Sequence, residues 1–195
     1  MELIPDGSLD LADSHAVWTH AFTSNGAFPD LADGACADLT PPSDNLDCGR
    51  VTFGIESADA GKATVTLKSP DLDVEGWQIA VSAEGCTIAG SLDGTRGADT
   101  LDGGARSGGY GRVDPANGGV VSAVALSWME DVTLPPDSAA VPLLALTLTP
   151  GEGCTCKLHF TDGLVGAGQP VRNEVVSKGR AWLPTTKDAT VRACD

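Results

Sequence analysis

Six cysteines, Cys36, Cys48, Cys86, Cys154, Cys156 and Cys194, carry the most specific chemistry in this 195-residue chain. Cysteines in such number serve either tetrahedral metal binding or disulfide formation. Metal binding needs ligands at CxxC-type spacing, and the only close pair, Cys154-Thr155-Cys156, is separated by one residue. An even count in an acidic, Gly-rich chain with 2 Met fits three disulfides made in an oxidising compartment. A bridge between Cys36 and Cys48 would close and stiffen a short loop. On an extended strand Cys154 and Cys156 share a face and are poorly placed to bridge each other. Each is expected to reach a different element, with Cys86 and Cys194 as the available partners.

The rest of the catalytic inventory is thin. The only histidines are His15, His20 and His159, and the nucleophile elbow, the phosphate-binding loop and the dinucleotide-binding turn are all absent. His15 and His20 flank Trp18 and fall on opposite faces of a strand, which argues against a joint metal site. Asp71-Leu72-Asp73 and Glu130-Asp131 sit at turns or strand ends and read as solvated charge rather than an acid and base pair. The expectation is a protein that is not an enzyme. One metal candidate stands out. Gly97-Ala98-Asp99-Thr100-Leu101 is similar to a single Gly- and Asp-containing calcium repeat, and Asp93, Asp99 and Asp102 on a pliable loop offer oxygen ligands that suit calcium. One copy cannot stack into a roll, so a plain flexible loop is the competing reading. Of the four tryptophans, Trp77 and Trp128 alternate with aliphatic residues and belong to a core, whereas Trp18 and Trp182 lie in less regular segments where a glycan could stack.

Twelve Lys+Arg against 27 Asp+Glu give a formal net charge of -15. Neutralising phosphates needs clustered cations, so nucleic acid and anionic membranes are both disfavoured partners. A hydrophobic fraction of 42% still supports a packed core. No apolar run reaches the roughly 18 residues of a membrane span, so no membrane insertion is expected. The start, Met1-Glu2-Leu3-Ile4-Pro5-Asp6, has neither a basic nor an apolar leader region, and together with the cysteines this suggests a mature secreted chain, extracellular or at the cell surface.

The elements that must position these residues are strands. Residues 1–48 have loop-like composition with one apolar stretch, Ala16-Val17-Trp18-Thr19-His20-Ala21-Phe22, and read as an extended N-terminal arm with one strand and a disulfide-closed loop. From residue 49 the pattern turns to short runs of period two bounded by turn residues: Val51 to Ile55, Ala63 to Leu67, Trp77 to Ser82. Residues 90–119 hold ten glycines in thirty positions and read as a long surface insertion. Val120 to Trp128 is apolar on both faces, as a central strand would be. Val141 to Leu148, Cys154 to Phe160, Val171 to Ser177 and Thr190 to Cys194 complete about nine or ten short strands, spaced as in a sandwich. The fold class is therefore all-β, an antiparallel β-sandwich stapled by disulfides, occupying residues 49–195.

The runs Val74-Glu75-Gly76-Trp77-Gln78-Ile79-Ala80-Val81, Gly119-Val120-Val121-Ser122-Ala123-Val124, Leu143-Leu144-Ala145-Leu146-Thr147-Leu148 and Lys157-Leu158-His159-Phe160-Thr161-Asp162-Gly163-Leu164 resemble cohesin-like modules. They are most similar to those repeated in large secreted proteins of planctomycetes and myxobacteria, where an Asp-Gly-Leu turn leads to a strand like Val171-Arg172-Asn173-Glu174-Val175-Val176. The resemblance covers residues 49–184. It implies a jelly-roll sandwich and a non-catalytic extracellular module for protein-protein recognition or assembly, cohesin-like in its scaffold or adhesion role. The cysteine pairs, the Gly-rich insertion and the arm depart from cellulosomal cohesins, so no binding residue is carried over. A second expectation is a structural subunit of a filament or surface layer that self-associates by strand addition through the arm. A third is a calcium-dependent carbohydrate-binding module.

Overall fold

The computed structural model describes residues 50–96, 110–126, 132–168, 170–178 and 180–194. The N-terminal arm, with Cys36, Cys48 and the expected strand Ala16 to Phe22, lies outside the described residues, as do Asp99, Asp102, Trp128, Glu130 and Asp131.

Alternation makes the strands, and the described residues form fourteen of them, twelve in two main sheets and two in a separate ribbon. In the first sheet the order is β13-β1-β2-β7-β4, built from Thr185–Lys187, Thr52–Ser57, Lys62–Ser69, Asp137–Pro150 and Cys86–Ser91. Neighbours pair antiparallel except β13, which runs parallel to β1. In the second sheet β3 (Gly76–Glu84) is the axis. One edge of β3 pairs with β6 (Gly119–Ala125), which in turn pairs with β5 (Tyr110–Ala116). Its other edge is shared by β8 (Thr155–Phe160) and β11 (Glu174–Ser177), with β14 (Ala189–Arg192) beyond β8 and β12 (Arg180–Trp182) beyond β11. A two-stranded ribbon, β9 (Leu164–Val165) and β10 (Pro170–Val171), lies between β8 and β11 in the chain.

The inward faces supply one core. Phe53, Val65 and Leu67 of the first sheet meet Trp77, Ile79, Val81, Val124, Leu158 and Val175 of the second, all nearly inaccessible to water. Every residue of β6 from Gly119 to Val124 is buried, so the strand is covered on both faces as its sequence suggested. Two disulfides staple the described residues. Cys86 of β4 is bonded to Cys156 of β8, tying the edge of the first sheet to the second, and Cys154 is bonded to Cys194 across the start of β8 and the end of β14.

Two boundaries differ from the sequence reading. Residues 90–119 do not behave throughout as a loop: β4 runs to Ser91, and Tyr110–Ala116 forms a hairpin with β6. Cross-strand pairing to a fully apolar neighbour can recruit a segment with few apolar residues of its own. Pro115 is accommodated because β5 has no second partner strand among the described residues. The stretch Val171 to Ser177 is not one strand either, since it breaks between β10 and β11.

Candidate functional site

β8 and β11 both run antiparallel to β3, and their registers show one interrupted strand. Phe160 stands opposite Val81, and Glu174 stands opposite Gln78. Continuous pairing would need two residues to face Ile79 and Ala80; instead the chain leaves on an excursion after Phe160 and returns fourteen residues later at Glu174. The gap at Ala80 is filled by one side chain and one main-chain bond from the excursion. The Ala80 N–H donates to Asn173 Oδ1 at 2.8 Å, and the Thr161 N–H donates to the Ala80 carbonyl at 3.0 Å. Asn173 is itself pinned, since its backbone N–H and its Nδ2 both donate to Asp162 Oδ1 at 2.8 Å. Arg172 Nε stands 3.9 Å from Asp162 Oδ2.

The excursion folds over the outer face of the second sheet. By register that face carries Gly76, Gln78, Ala80 and Ser82 of β3, and Gly119, Val121, Ala123 and Ala125 of β6. Apart from Gln78 and Val121 these are small residues, so another segment can lie close. A methyl added at Gly119 would press on Leu164 as well as the Val81 carbonyl, and one at Gly166 would press on Val121 and Asp114. Ala80 and Val121 point outward yet are buried. At the rim, Val165 of β9 is 47% exposed, the one large apolar side chain so exposed among the described residues.

Glu174, the first residue of β11, is 8% exposed on this same face. Burial pushes its carboxyl up to about 7; the Arg172 charge pulls against that shift and the Asp162 charge adds to it. At the far end of the face, the ring of His159 and the carboxylate of Asp188 meet at 2.9 Å, and the Phe160 N–H donates to Asp188 at 3.0 Å. Burial is the largest single influence on the Asp188 carboxyl and raises it, but these two hydrogen bonds and the His159 charge together outweigh it and hold the group below its usual range.

Ion pairs distinguish the two outer faces. On the second sheet Arg112 meets Asp114 at 2.7 Å and Lys157 meets Glu84 at 3.7 Å. On the first sheet Lys62, Lys68 and Lys187 stand exposed among Thr52, Thr64, Thr147 and Thr185, with no ion pair to any described residue.

Only some of the sequence-level candidates fall among the described residues. Asp93 is exposed and accepts a hydrogen bond from Ser91 Oγ at 2.9 Å; no cluster of potential metal ligands occurs among the described residues. Asp71 and Asp73 flank buried Leu72 at a turn. Trp77 lies in the core, and half-buried Trp182 packs with the Arg50 guanidinium 6.0 Å from its ring. Asp162, Asn173 and Glu174 received no role from the sequence, although polar Asn173-Glu174 ahead of the apolar run Val175-Val176 is a visible break in pattern.

Two sheets packed face to face, antiparallel except for the β13–β1 pair, make a β-sandwich, and its likeness to solved structures gives it as a cohesin-like jelly roll. No family model matches the sequence, and neither does any curated protein. Among solved structures, the chain is similar to the OlpC cohesin in a type I cohesin-dockerin complex from Clostridium thermocellum. The TM-score there is 0.50 at 8% identity, over 77% of this chain and 97% of that one. It is also similar to a non-cellulosomal cohesin from the archaeon Archaeoglobus fulgidus, at TM-score 0.46 and 13% identity over 74% of this chain and 91% of that one.

Proposed function

We propose that this chain is a non-catalytic module that recognises a protein partner on a sheet face, outside the cell or at its surface. The observation that carries the reading is the cohesin-type sandwich itself, whose structural neighbour was solved in complex with a dockerin. Disulfides between Cys86 and Cys156 and between Cys154 and Cys194 support an oxidising location.

The test compares proteins retained from the medium of the producing cells by immobilised full-length chain and by two face variants. Ala123→Arg loads the outer face of the second sheet, and Thr147→Arg that of the first. A specific protein bound at micromolar affinity or better, and lost with one variant only, supports the reading. Equal retention by all three, or none, overturns it.

A second reading follows from the sheet edges. Among the described residues β4 and β5 each have one unpaired side, the kind of edge to which an added strand can pair. A filament or surface-layer subunit using the arm strand Ala16 to Phe22 would polymerise as the full chain and be monomeric without residues 1–34. A calcium-dependent glycan module, with Asp93, Asp99 and Asp102 as ligands, is the lesser alternative, and calcium titration of the full chain decides it.

A further inference from the structure

We propose that the excursion between Phe160 and Glu174 is a pH-operated clasp on the outer face of the second sheet, latched by Asp162 and Asn173 and released when Glu174 ionises. That its release uncovers a docking surface rests on the recognition reading above; the opening itself does not.

The latch is local. Three hydrogen bonds, from Ala80 to Asn173 and twice from Asn173 to Asp162, close a gap that backbone pairing leaves in the middle of the sheet. Two more hold the base and root of the ribbon, Thr161 to Ala80 and Gly163 to Val171. The ribbon adds Leu164 and Gly166 against Gly119 and Val121 and leaves Val165 exposed. It therefore buries little apolar surface of its own, which places it at the low-stability end of the fold, where segments open without global unfolding.

The trigger is the residue at which the excursion rejoins the sheet. Across the ladder Glu174 faces uncharged Gln78, and the next residue in that row, Ala123, is also uncharged. The row ends at Arg112, which is engaged by Asp114. The charges that act on Glu174 are Arg172 and Asp162, and both belong to the excursion. Protonated, Glu174 adds no charge beside Asp162. Ionised, it places a charge in a buried site where the nearby, more exposed Asp162 carboxylate repels it and the attraction of Arg172 does not offset the loss of water; moving the excursion away restores that water. The carboxyl lies near 7 when buried against 4.5 when free, so ionisation shifts the clasp equilibrium toward open by about two orders of magnitude at pH 8 and only a few-fold at pH 5.

Amide exchange resolved by NMR on the full-length, disulfide-intact chain tests this without any partner. Wild type and Glu174→Gln are compared at the same pH, so that intrinsic exchange cancels. At pH 8 the Ala80, Thr161 and Gly163 amides exchange about a hundredfold faster in wild type than in Glu174→Gln, and at pH 5 the two differ by a few-fold at most. Asp162→Ala gives fast exchange at those amides at both pH values while Val65 and Leu144 stay protected. Equal exchange in wild type and Glu174→Gln at pH 8 overturns the trigger. Loss of protection at Val65 and Leu144 together with the clasp amides shows global unfolding and overturns the clasp. Failure to capture a partner, with the exchange pattern intact, removes the docking reading and leaves the clasp standing.

Discussion

Asn173 and Ala80 lie 93 residues apart in the chain, and the side chain of the first completes the backbone pairing of the second at 2.8 Å. The amide oxygen of Asn173 takes the position a main-chain carbonyl would occupy had β8 continued into β11. Sheet continuity on this edge of β3 thus depends on one buried side chain, 5% exposed.

Asn173→Ala strands the Ala80 N–H in a site that water cannot reach, and an unmade hydrogen bond there costs about 1–3 kcal/mol. Asn173→Asp keeps an acceptor for Ala80 but turns a carboxylate toward the carboxylate of Asp162, so it should be no milder. Urea unfolding at pH 7 reads both. An Asn173→Ala variant as stable as wild type would show that the bridge is dispensable.

Much of this architecture is legible from alternation. The inward set Trp77, Ile79 and Val81, the doubly buried Val120 to Val124, and the shared face of Cys156 and Leu158 follow from period two. The separation of Cys154 and Cys156 onto different partners, Cys194 and Cys86, follows from the same geometry. β5 was hidden because glycines and polar residues dominate its neighbourhood and its pairing is supplied by β6. The bridge of Asn173 to Ala80 leaves no periodic trace, since a side chain replacing a carbonyl at long range changes no pattern within either segment. Glu174 read as one more acid among 27, and only its position on a covered face sets it apart.

Glu174 also fixes the pH dependence of stability. Its carboxyl is raised from 4.5 to about 7 in the folded chain, so the folded state holds a proton that the unfolded state gives up between those values. The stabilisation is complete below about pH 4.5 and is lost as pH rises through about 7, by up to about 3 kcal/mol. Glu174→Gln keeps the shape and removes the titration. The difference in unfolding free energy between Glu174→Gln and wild type should grow from pH 5 to pH 8 and then level off. A difference that does not change with pH would place this carboxyl in water.

The two disulfides differ in the loops they close. Cys86 and Cys156 are separated by 70 residues and Cys154 and Cys194 by 40. Chain-entropy arguments give about 4 kcal/mol for each, with about 0.5 kcal/mol more for the longer loop. Cys86→Ala/Cys156→Ala also detaches edge strand β4 from the second sheet, so its denaturant midpoint should fall further than that of Cys154→Ala/Cys194→Ala. The opposite order would mean that the C-terminal staple governs cohesion of the sandwich.

Ser122 points from the centre of β6 into the core, opposite Ile79 and Val113 and between Val120 and Val124. It is 1% exposed, and its hydroxyl has no hydrogen-bond partner among the described residues. A hydroxyl taken out of water without a partner costs about 1–3 kcal/mol on mutational scales. Ser122→Ala removes that oxygen and leaves a void smaller than a methyl group, so the polar penalty relieved exceeds the packing lost. Thermal unfolding should then rise, by about 1 kcal/mol after the lost contacts are counted. The same substitution at Ser69 must do the reverse, because Ser69 Oγ donates to the Leu72 carbonyl at 2.9 Å and its loss orphans a buried acceptor. Opposite signs at two buried serines of one sandwich are the expected result. Destabilisation by Ser122→Ala as large as that by Ser69→Ala would mean that the Ser122 hydroxyl is satisfied.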